Sequence, residues 1–336
     1  GFEAFLVGGC VRDIIIGREP KDWDITTSAN PEQIQGLFEK TVYENKFGTV
    51  AVCIPKLIAD SSELTASEYE IVEVTPFRLE TSYTDHRHPD LVTFSDNIED
   101  DLQRRDFTVN AIAYDPIKDI LKDIFGGIKD IQEKVLRTVG EPNERFGEDA
   151  LRLMRAVRFS VELGFVISSE TLEAVAKNSD SIQKISTERI RDEFRKIIMS
   201  PEPALGIGML QKLGLLKHFI PELEQGIGCE QGGAHKFDVY EHLLQALQHS
   251  ADKGWPLEIR LSALFHDIGK PKTRRKGIKK AYTFYGHEVV GARMARVIME
   301  RMKFPKDTTE LVTSLVRYHM FFSDTEQITL SAVRRV

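Results

Sequence analysis

One stretch near the N-terminus constrains this chain more than any other: residues 6–25, which read LVGGCVRDIIIGREPKDWDI. An apolar strand from Ala4 to Val7 leads into the pair Gly8-Gly9, and a short helix carrying Arg12 follows. Paired glycines let backbone N–H groups approach an anion without a Cβ atom in the way, and the N-terminus of the next helix adds its positive end. Arg12, one turn into that helix, can place its planar guanidinium on phosphate oxygens. The stretch therefore predicts a turn that binds phosphate.

Two acidic residues follow on the next predicted strand. Residues i and i+2 share one face of a strand, so Asp22 and Asp24 project together while Trp23 points into the core. Carboxylates at this spacing suit Mg²⁺, which prefers one or two protein carboxylates together with substrate phosphates. An Asp-x-Asp pair by itself is more often a solvated turn or strand edge. Its place downstream of Gly-Gly-x-x-Arg-Asp favours a site for nucleotide chemistry.

Composition sets the broad class. The chain has 336 residues, enough for two or more domains, and 41% of them are hydrophobic without an apolar run of membrane length. A soluble globular protein is expected. The three cysteines, Cys10, Cys53 and Cys229, lack metal-ligand spacing, which fits a reduced cytoplasmic compartment. A net charge of −7 argues against nonspecific coating of nucleic acid, although local basic surface sets phosphate affinity.

The two ends of the chain predict a fragment. Gly1 lies almost directly before a strand, and the pattern at Val336 is still helical. We therefore expect a piece of a longer protein, truncated at the C-terminal end, in which a missing targeting segment proves little.

Two β-branched segments, 48–54 and 68–77, read as further strands, and Asn30 is a plausible N-cap of the helix between the predicted strands. Alternation in the second segment puts Glu73 on the face opposite its valine neighbours. If this strand lies beside that of Asp24, Glu73 supplies a third carboxylate. An exposed strand face is the simpler interpretation.

A charged segment and a compact motif follow. Residues 78–98 lack periodicity and are dense in charge, which predicts a loop. Residues 104–111, RRDFTVNA, adjoin an apolar alternating run, so their charges lie at the mouth of a strand or helix beside the sheet. A surface ion-pair cluster with Asn110 as a cap explains them as well as a nucleotide contact does.

A helical pattern starts at Glu144. Its apolar stripe consists of Leu151, Met154, Val157 and Phe159. Its charged residues recur every three positions, along one face of the helix: Asp149, Arg152, Arg155 and Arg158. Such a row is usually a solvated face. Three arginines behind one acid are unusual for that interpretation.

Residues 200–336 are helical in pattern and contain a second group of histidine and acidic side chains. Its members are His242, His266, Asp267, His287 and His319, with Asp324 downstream. One such histidine alone is more often structural. Together, imidazole and carboxylate can hold a divalent transition metal that activates water on a phosphate ester. The basic run at 270–280 predicts either a solvated loop or a contact with a phosphate backbone.

In their order along the chain, these motifs resemble those of the polymerase β nucleotidyltransferase superfamily. The match is to the class II tRNA nucleotidyltransferases, or CCA-adding enzymes, and their bacterial poly(A) polymerase relatives. The resemblance implies that Asp22 and Asp24 are catalytic and hold Mg²⁺. It also implies that Arg12 and the backbone of Gly8 and Gly9 bind the triphosphate.

The resemblance assigns the RRDFTVNA motif to the nucleotide. Arg105 would contact the nucleotide, Asp106 would accept a hydrogen bond from a ribose hydroxyl, and Asn110 would support the geometry.

The helix after Glu144 matches the family's Glu-Asp-x-x-Arg motif, which implies selection of the base. Asp149 and Arg152 would read the Watson–Crick edge of the incoming nucleotide. A carboxylate accepts from the amino group that cytosine and adenine share, and a guanidinium donates to a ring nitrogen or carbonyl. Arg155 and Arg158 would reach phosphate or sugar.

The C-terminal group resembles the metal site of an HD phosphohydrolase domain. The implied ligands of a divalent transition metal are His242, His266, Asp267 and His287. The final aspartate of such a site is not fixed by the sequence, and His319 is followed by Met320.

The implied fold is α+β. A polymerase-β-like nucleotidyltransferase head with a small mixed sheet would span 1–125, a helical neck with the nucleotide-selecting helix 126–200, and a helical body with an HD-like domain 201–336. The implied reaction is template-independent, Mg²⁺-dependent addition of CCA to tRNA 3′ ends from CTP and ATP, in the cytoplasm. The expected partner is the tRNA 3′ end, without a membrane, and the oligomeric state stays open.

Other functions compete with this one. Within the class, the alternatives are a CC-only or A-only tRNA nucleotidyltransferase and a poly(A) polymerase. The segment 78–98 resembles the family's loop linked to the switch from C to A addition, which favours the full CCA enzyme. An HD phosphohydrolase with a degenerate head is disfavoured by the intact Asp22 and Asp24. A non-catalytic RNA-binding module would bind tRNA without metal-dependent incorporation.

Overall fold

The computed structural model describes residues 1–43, 48–55, 69–81, 91–232, 236–277 and 281–320. The strands are β1 Ala4–Val7, β2 Asp24–Thr27, β3 Thr41–Tyr43, β4 Val50–Pro55, β5 Tyr69–Pro76, β6 Arg78–Thr81, β7 Leu91–Phe94, β8 Ala113–Asp115, β9 Ile120–Lys122, β10 Val135–Leu136, β11 Val166–Ile167, β12 Arg275–Lys276 and β13 Tyr282–Thr283. The helices are α1 Gly9–Ile15, α2 Pro31–Leu37, α3 Ile98–Gln103, α4 Gly127–Glu133, α5 Pro142–Glu148, α6 Leu151–Leu163, α7 Ser169–Lys177, α8 Thr187–Ile198, α9 Pro203–Lys212, α10 Pro221–Glu224, α11 Val239–Asp252, α12 Leu257–Phe265, α13 Lys270–Thr273, α14 His287–Arg301 and α15 Lys306–Tyr318.

The N-terminal part is built on a mixed sheet, as predicted. In the described residues seven strands follow the order β3-β4-β5-β2-β1-β8-β9. β2 and β5 are parallel, whereas β1 is antiparallel to both of its neighbours. β2 begins at Asp24, so Asp22 lies in the bend before the strand and not on it as predicted. The parallel pair brings together residues that are far apart in the sequence.

Apolar alternation explains how this sheet is anchored. Buried Val72 and Val74 of β5 pack in one cluster with Val50 and Val52 of β4, and Trp23 lies against that cluster as predicted. Asn30 caps α2, because its side chain accepts a hydrogen bond from the backbone N–H of Gln33 at 2.8 Å.

The predicted loop over 78–98 is partly wrong. β6 and β7 pair as an antiparallel ribbon in register from Arg78↔Phe94 to Thr81↔Leu91, and α3 begins at Ile98. Backbone pairing across this ribbon does not need hydrophobic periodicity, so the pattern missed it. The centre of the predicted loop, residues 82–90, lies outside the described residues.

The region after residue 126 is mainly helical, with two short departures from the all-helical prediction. β10 and β11 form a two-residue parallel pair, and β12 and β13 a two-residue antiparallel pair. The helix predicted to run on from Glu144 is broken: α5 ends at Glu148, and Asp149 has extended backbone angles, φ −139° and ψ 107°. Ser186 occupies the N-cap position of α8.

The described chain divides into two compact units. One contains Gly1–Asp149 and Val166–Ala174, and the other contains Ala150–Phe165 and the described residues from Val175 onward. The boundaries at 125 and 200 stay predictions. Within the described residues, no helix has both the length and the apolar character needed to cross a bilayer.

Candidate active sites

The glycine turn after β1 is a close-packed corner. Gly8 has φ 77° and ψ −134°, a left-handed conformation that favours glycine, and α1 begins at Gly9. A Cβ atom at Gly8 would lie 2.8 Å from Arg105 Nη1 and 3.5 Å from Asp24 Oδ2. The turn, one carboxylate of the predicted pair and the arginine of the second motif therefore converge, as a nucleotide site requires.

Asp24 lies between opposing electrostatic influences. Burial raises the pKa of this carboxyl above its ordinary value, Arg105 opposes the rise, and Asp22 adds to it. Asp22 is exposed and Asp24 is half-buried, so the pair faces outward from the sheet.

Glu73 is the third acidic residue at this place. The parallel register of β2 and β5 sets it directly opposite Asp24, and its side chain is exposed. Residues in register on neighbouring strands share a sheet face. β2 and β5 are neighbours, as they must be if Glu73 is to act as a third carboxylate. The side chain is also exposed, as expected if it simply lies on a solvent-facing strand face.

A fully buried carboxylate fixes Arg105. Asp101, in α3, accepts hydrogen bonds from Arg104 Nη2 at 2.7 Å and from Arg105 Nη2 at 3.1 Å. Burial raises the pKa of Asp101, but the two guanidinium groups outweigh it and hold that pKa below its usual value. Asp101 is not among the predicted site residues. The Asp-x-x-Arg-Arg spacing, which puts acid and bases one helical turn apart, is the signal that could have found it.

Arg12, Asn110 and Asp106 form a buried chain of hydrogen bonds. Arg12 Nη1 donates to Asn110 Oδ1 at 2.7 Å, and Asn110 Nδ2 donates to Asp106 Oδ1 at 3.0 Å. Arg12 Nε and Nη2 both donate to Asp13 Oδ1, at 2.9 and 2.8 Å. The chain ties α1 to the 3₁₀ turn Thr108–Asn110 and gives Arg12 partners inside the protein. Its predicted contact with the triphosphate stays a prediction.

The charged row predicted after Glu144 is rearranged by the break before α6. Asp149 precedes the helix, while Arg152 and Arg155 lie in it and are half-buried. The four apolar residues of the predicted stripe are all buried, as expected. The single continuous face from Asp149 to Arg158 is wrong, because the extended residue changes the direction of the chain.

Arg158 is buried among acids. Its Nε lies 2.7 Å from Glu193 Oε2 and its Nη1 lies 2.8 Å from Glu162 Oε2, with 6% of the residue exposed. A buried ion pair of this kind holds α6 and α8 together, and no local pattern around Arg158 marks Glu193 as its partner. These contacts occupy the side chain that was predicted to reach phosphate or sugar.

The C-terminal unit assembles the predicted histidines around one carboxylate. Asp267 Oδ2 lies 3.2 Å from Nε2 of both His242 and His266, and Asp267 Oδ1 lies 3.2 Å from His287 Nε2. His319 Nε2 is 3.6 Å from the same Oδ1. We refer to these five residues as the histidine cluster; Asp324, the last acid of the sequence analysis, lies outside the described residues.

The backbone orients three rings of the histidine cluster. Nδ1 of His266, His287 and His319 lies 2.8 Å from the carbonyl oxygen three residues earlier in each case. An Nδ1–H that donates to a carbonyl leaves Nε2 as the lone-pair nitrogen, the tautomer that ligates metals. Nε2 of these rings and the carboxylate oxygens of Asp267 lie 3.2–3.6 Å apart, so they can share a metal ion or, without one, a proton. The donor set of nitrogen and carboxylate oxygen suits a divalent transition metal.

Close packing brings Asp267 and His287 together. A Cβ atom at Gly269 would collide with the carbonyl oxygen of His287 and lie 2.6 Å from the backbone nitrogen of Gly291, so only glycine fits against the first turns of α14.

Burial raises the pKa of Asp267, but hydrogen bonds from the imidazoles outweigh it and hold that pKa well below its usual range. Burial lowers the pKa of His287, and Asp267 more than reverses this, so the net pKa is raised.

A cavity of about 1060 Å³ opens over the histidine cluster. Lys270 lines it, with Nζ 2.6 Å from Asp267 Oδ2 and 2.7 Å from Gln231 Oε1. Lys270 begins α13, so the basic run at 270–280 contains a helical turn and β12 in addition to loop, and its last residues, 278–280, lie outside the described residues. Lys270 was predicted only as a member of that basic run, and its contact with Asp267 was not predicted. The spacing His-Asp-x-x-Lys, which puts the lysine one turn after the acid, is a signal for this contact.

Fold and site together define a class. A mixed sheet with a Gly-Gly turn, adjacent carboxylates and a clamped arginine is typical of a nucleotidyltransferase head, and the helical unit carries the histidine and aspartate residues typical of an HD domain.

Comparison with known proteins narrows the class to a family. Residues 4–137 match the model of the poly A polymerase head domain, 164–227 that of a probable RNA and SrmB-binding site of polymerase A, and 239–334 that of the HD domain. The CCA-adding enzyme of Lactococcus lactis is 44% identical over 225 residues, covering 67% of this chain and 54% of that protein. The CCA-adding enzyme of Geobacillus thermodenitrificans is 41% identical over 238 residues, 70% of this chain and 55% of that protein.

A solved structure agrees. The Bacillus stearothermophilus CCA-adding enzyme in complex with CTP matches 99% of this chain and 70% of its own, with a TM-score of 0.73 and 30% identity. The chain belongs to the family of CCA-adding tRNA nucleotidyltransferases and bacterial poly(A) polymerases. It spans about half the length of the curated relatives it matches.

Proposed function

We propose that the protein adds CCA to tRNA 3′ ends, taking nucleotides from CTP and ATP in a metal-dependent, template-independent transfer. The observation that carries this proposal is the convergence of the Gly8 turn, Arg105 and Asp24 at one end of the sheet, with Glu73 in register beside Asp24. Family membership supports the choice of reaction.

The head offers oxygen ligands of the kind Mg²⁺ prefers. Asp22 and Asp24 would hold the ion, and Glu73 is placed to assist as a third carboxylate. When bound, Mg²⁺ would lower the pKa of the RNA 3′-hydroxyl and neutralise charge on the triphosphate. The 3′ oxygen then forms a bond to the α-phosphorus, the bond from that phosphorus to pyrophosphate breaks, and the hydroxyl proton leaves to solvent.

The remaining head residues bind and position the nucleotide. The N–H groups of the Gly8-Gly9 turn and the guanidinium of Arg105 would hold phosphate oxygens. Asp106 would accept a hydrogen bond from the ribose, with Asn110 fixing its carboxylate at 3.0 Å. Arg12 would help to position Asp106 through Asn110. Any guanidinium N–H group of Arg12 that these hydrogen bonds do not use would donate to the triphosphate.

Base selection is proposed to lie with Asp149 and Arg152. The carboxylate accepts from the amino group that cytosine and adenine share, and the guanidinium donates to the neighbouring ring position. Uracil and guanine present an oxygen where the amino group would be, so the same pair disfavours them. Arg155 would assist at the sugar or phosphate, whereas the buried ion pairs of Arg158 support a role in holding α6 to α8.

The direct test is incorporation of labelled CTP, ATP, UTP and GTP, singly and together, into a tRNA that lacks its 3′ end, with Mg²⁺. Two C followed by one A is the expected product. Addition restricted to C or to A, or a long A tract, would reassign the protein to the matching relative, and a folded sample that incorporates nothing would contradict the transferase proposal.

The geometry of the histidine cluster favours a second activity, hydrolysis of a phosphate ester. The cluster would hold a divalent transition metal, which when bound supplies an activated water. Lys270 lines the cavity and places positive charge near the phosphate. The water oxygen bonds to phosphorus, the ester P–O bond breaks, and the departing alcohol oxygen takes a proton.

Metal-loaded protein tests this second proposal. Release of phosphate from simple phosphate esters should require Mn²⁺, Co²⁺ or Ni²⁺ and stop on chelation. Hydrolysis that persists after His266→Ala would rule out the histidine cluster as its site, and no release with any of the ions would contradict the activity.

A further inference from the structure

A second, smaller hollow lies beside the histidine cluster, between α14 and α15. It has a volume of about 300 Å³, and three arginines line it: Arg293, Arg296 and Arg317. Arg293 and Arg296 are one turn apart on α14, and Arg317 faces them from α15. Thr313 and Ser314 of α15 complete the polar lining. We refer to this hollow as the arginine groove.

The positive charge of the arginine groove is weakly compensated. Arg293 has no acidic partner in the described part of the chain. Arg296 Nη1 lies 3.9 Å from Glu300 Oε1, and Arg317 Nη1 lies 3.6 Å from Glu288 Oε1. Ion pairs this long, in which three of the four side chains are exposed and Glu288 is half-buried, contribute little. The groove can therefore accept an anion without breaking a strong contact.

A buried hydroxyl points to the same kind of ligand. Thr313 is 9% exposed, and its Oγ1 has no hydrogen-bond partner among the described residues. Unpaired buried polar groups are uncommon because each forfeits its hydration. A ligand with several acceptor oxygens would satisfy this hydroxyl and the guanidinium forks together. Phosphate has such oxygens, and arginine binds them in pairs.

The arginine groove continues from the cavity of the histidine cluster. Arg317 and Tyr318 line both hollows, and His319 follows them directly in the sequence. α14 begins at His287. At about 1.5 Å of rise per residue, Arg293 lies about 9 Å and Arg296 about 14 Å farther along the helix axis than His287. One ligand can therefore reach from the cluster into the groove.

We propose that the arginine groove is a second phosphate subsite for the substrate of the histidine cluster. One phosphate ester lies over the cluster and is hydrolysed, and a second, unreacting phosphate of the same molecule lies on Arg293, Arg296 and Arg317. The substrate class is thus a nucleotide with two phosphate groups, either a free bisphosphate or the phosphorylated end of an RNA strand. This inference rests on the proposed phosphohydrolase.

The experiment compares substrates that differ by one phosphate. Phosphate release from a nucleoside 3′-monophosphate, its 3′,5′-bisphosphate and a short RNA with a terminal 3′-phosphate is measured on the full chain loaded with Mn²⁺. The second phosphate should lower KM about tenfold. Arg293→Ala with Arg296→Ala should remove that advantage while kcat for the monophosphate stays within about twofold. Lys306→Ala, which removes an exposed charge at the opposite end of α15, should keep it.

The three substrates distinguish a free nucleotide from an RNA end, and the outcomes distinguish failure of the subsite from failure of the phosphohydrolase. An advantage confined to the bisphosphate identifies a free nucleotide, and one confined to the RNA identifies a strand end. Equal KM values for the monophosphate and both two-phosphate substrates in the unaltered protein, or an advantage that survives the double variant, would overturn the subsite. If no phosphate is released from any substrate, the phosphohydrolase fails. Calorimetric titration with the bisphosphate and the monophosphate then tests the subsite by binding alone. Equal affinities for the two, or a preference for the bisphosphate that the double variant retains, would overturn the subsite as well.

Discussion

The head site and the histidine cluster handle phosphate with opposite designs. In the head, carboxylates lie on the central strands β2 and β5 and in the bend before β2, exposed or half-buried, beside an arginine and a glycine turn. In the helical unit, imidazole nitrogens surround a carboxylate that is 3% exposed. One site offers hard oxygen ligands to solvent, and the other offers nitrogen ligands that the backbone has already oriented.

This difference in ligand type and exposure indicates which kind of metal ion would suit each site. Open carboxylates suit an ion that arrives and leaves with a nucleoside triphosphate, as Mg²⁺ does. Enclosed imidazoles suit an ion that stays while substrates exchange over it. The two chemistries are therefore expected to be separable by single substitutions and by choice of metal.

The largest expected effect is in the head. Asp24→Ala should lower nucleotide incorporation on the order of a thousandfold, because the variant loses a carboxylate that holds the catalytic ion. Phosphate release at the histidine cluster should stay unchanged. Incorporation and hydrolysis are measured on one preparation, with the exposed Asp96→Ala as control. Retained incorporation in the Asp24 variant would refute the assignment of the metal site.

The reciprocal substitution comes next. Asp267→Ala should lower phosphate release about a hundredfold and release the bound transition metal, since four imidazoles lose their shared carboxylate. Incorporation with Mg²⁺ should persist. Metal content by mass spectrometry and both activities are measured. A parallel fall in incorporation would show that the two sites are not separable.

A third substitution tests how the head holds its arginine. Asp101→Asn should lower the free energy of unfolding by about 2 kcal/mol at neutral pH, because two guanidinium groups lose a buried carboxylate. The exposed Glu99→Gln in the same helix is the control, and denaturant titration is the measurement. An unchanged free energy of unfolding would contradict the role of Asp101.

The pH dependence of the same variant sharpens this test. The pKa of Asp101 is lowered in the folded protein, so its contribution is complete above the unfolded pKa of about 4 and is lost as pH falls through the folded value. The unaltered protein should therefore lose stability more steeply below pH 4 than Asp101→Asn does. Parallel curves would contradict an ionised Asp101.

The smallest effect separates backbone strain from crowding. Gly8→Ala and Gly17→Ala both force alanine into a positive φ, 77° and 73°; the cost in stability should be about 1 kcal/mol at Gly17 and about 2 kcal/mol at Gly8, whose ψ of −134° is also one that alanine rarely adopts. Only the methyl group at Gly8 meets Arg105, whereas nothing lies within 4 Å at Gly17. Incorporation should fall about tenfold further in Gly8→Ala. Equal activity of the two variants would show that the approach of Arg105 is unimportant.

Local patterns predicted much of this molecule. β1 has the bounds of the predicted strand, Asn30 caps the expected helix, and the apolar residues of α6 are buried as its periodicity indicated. Each of these depends on residues within one or two turns, where side-chain spacing and backbone conformation are directly linked.

Distant pairings could not be predicted in the same way. The place of Glu73 beside Asp24 is set by the register of two strands, and Arg158 is buried by Glu193 on another helix. Neither partner is marked in the sequence around the other. The neighbours of Asp149 favour a helix, yet its backbone is extended, so local propensity does not decide its conformation.

Three histidines of the cluster obtain their orientation from carbonyls of their own chain segments, three residues earlier. The orientation of these imidazoles is thus completed by folding, before the metal ion that we propose for the cluster is bound. Ions can exchange without refolding, and ligand type alone discriminates weakly among the later first-row metals. The occupant of a purified sample should accordingly reflect the growth medium, and two laboratories using different media would observe different hydrolytic rates from one and the same polypeptide.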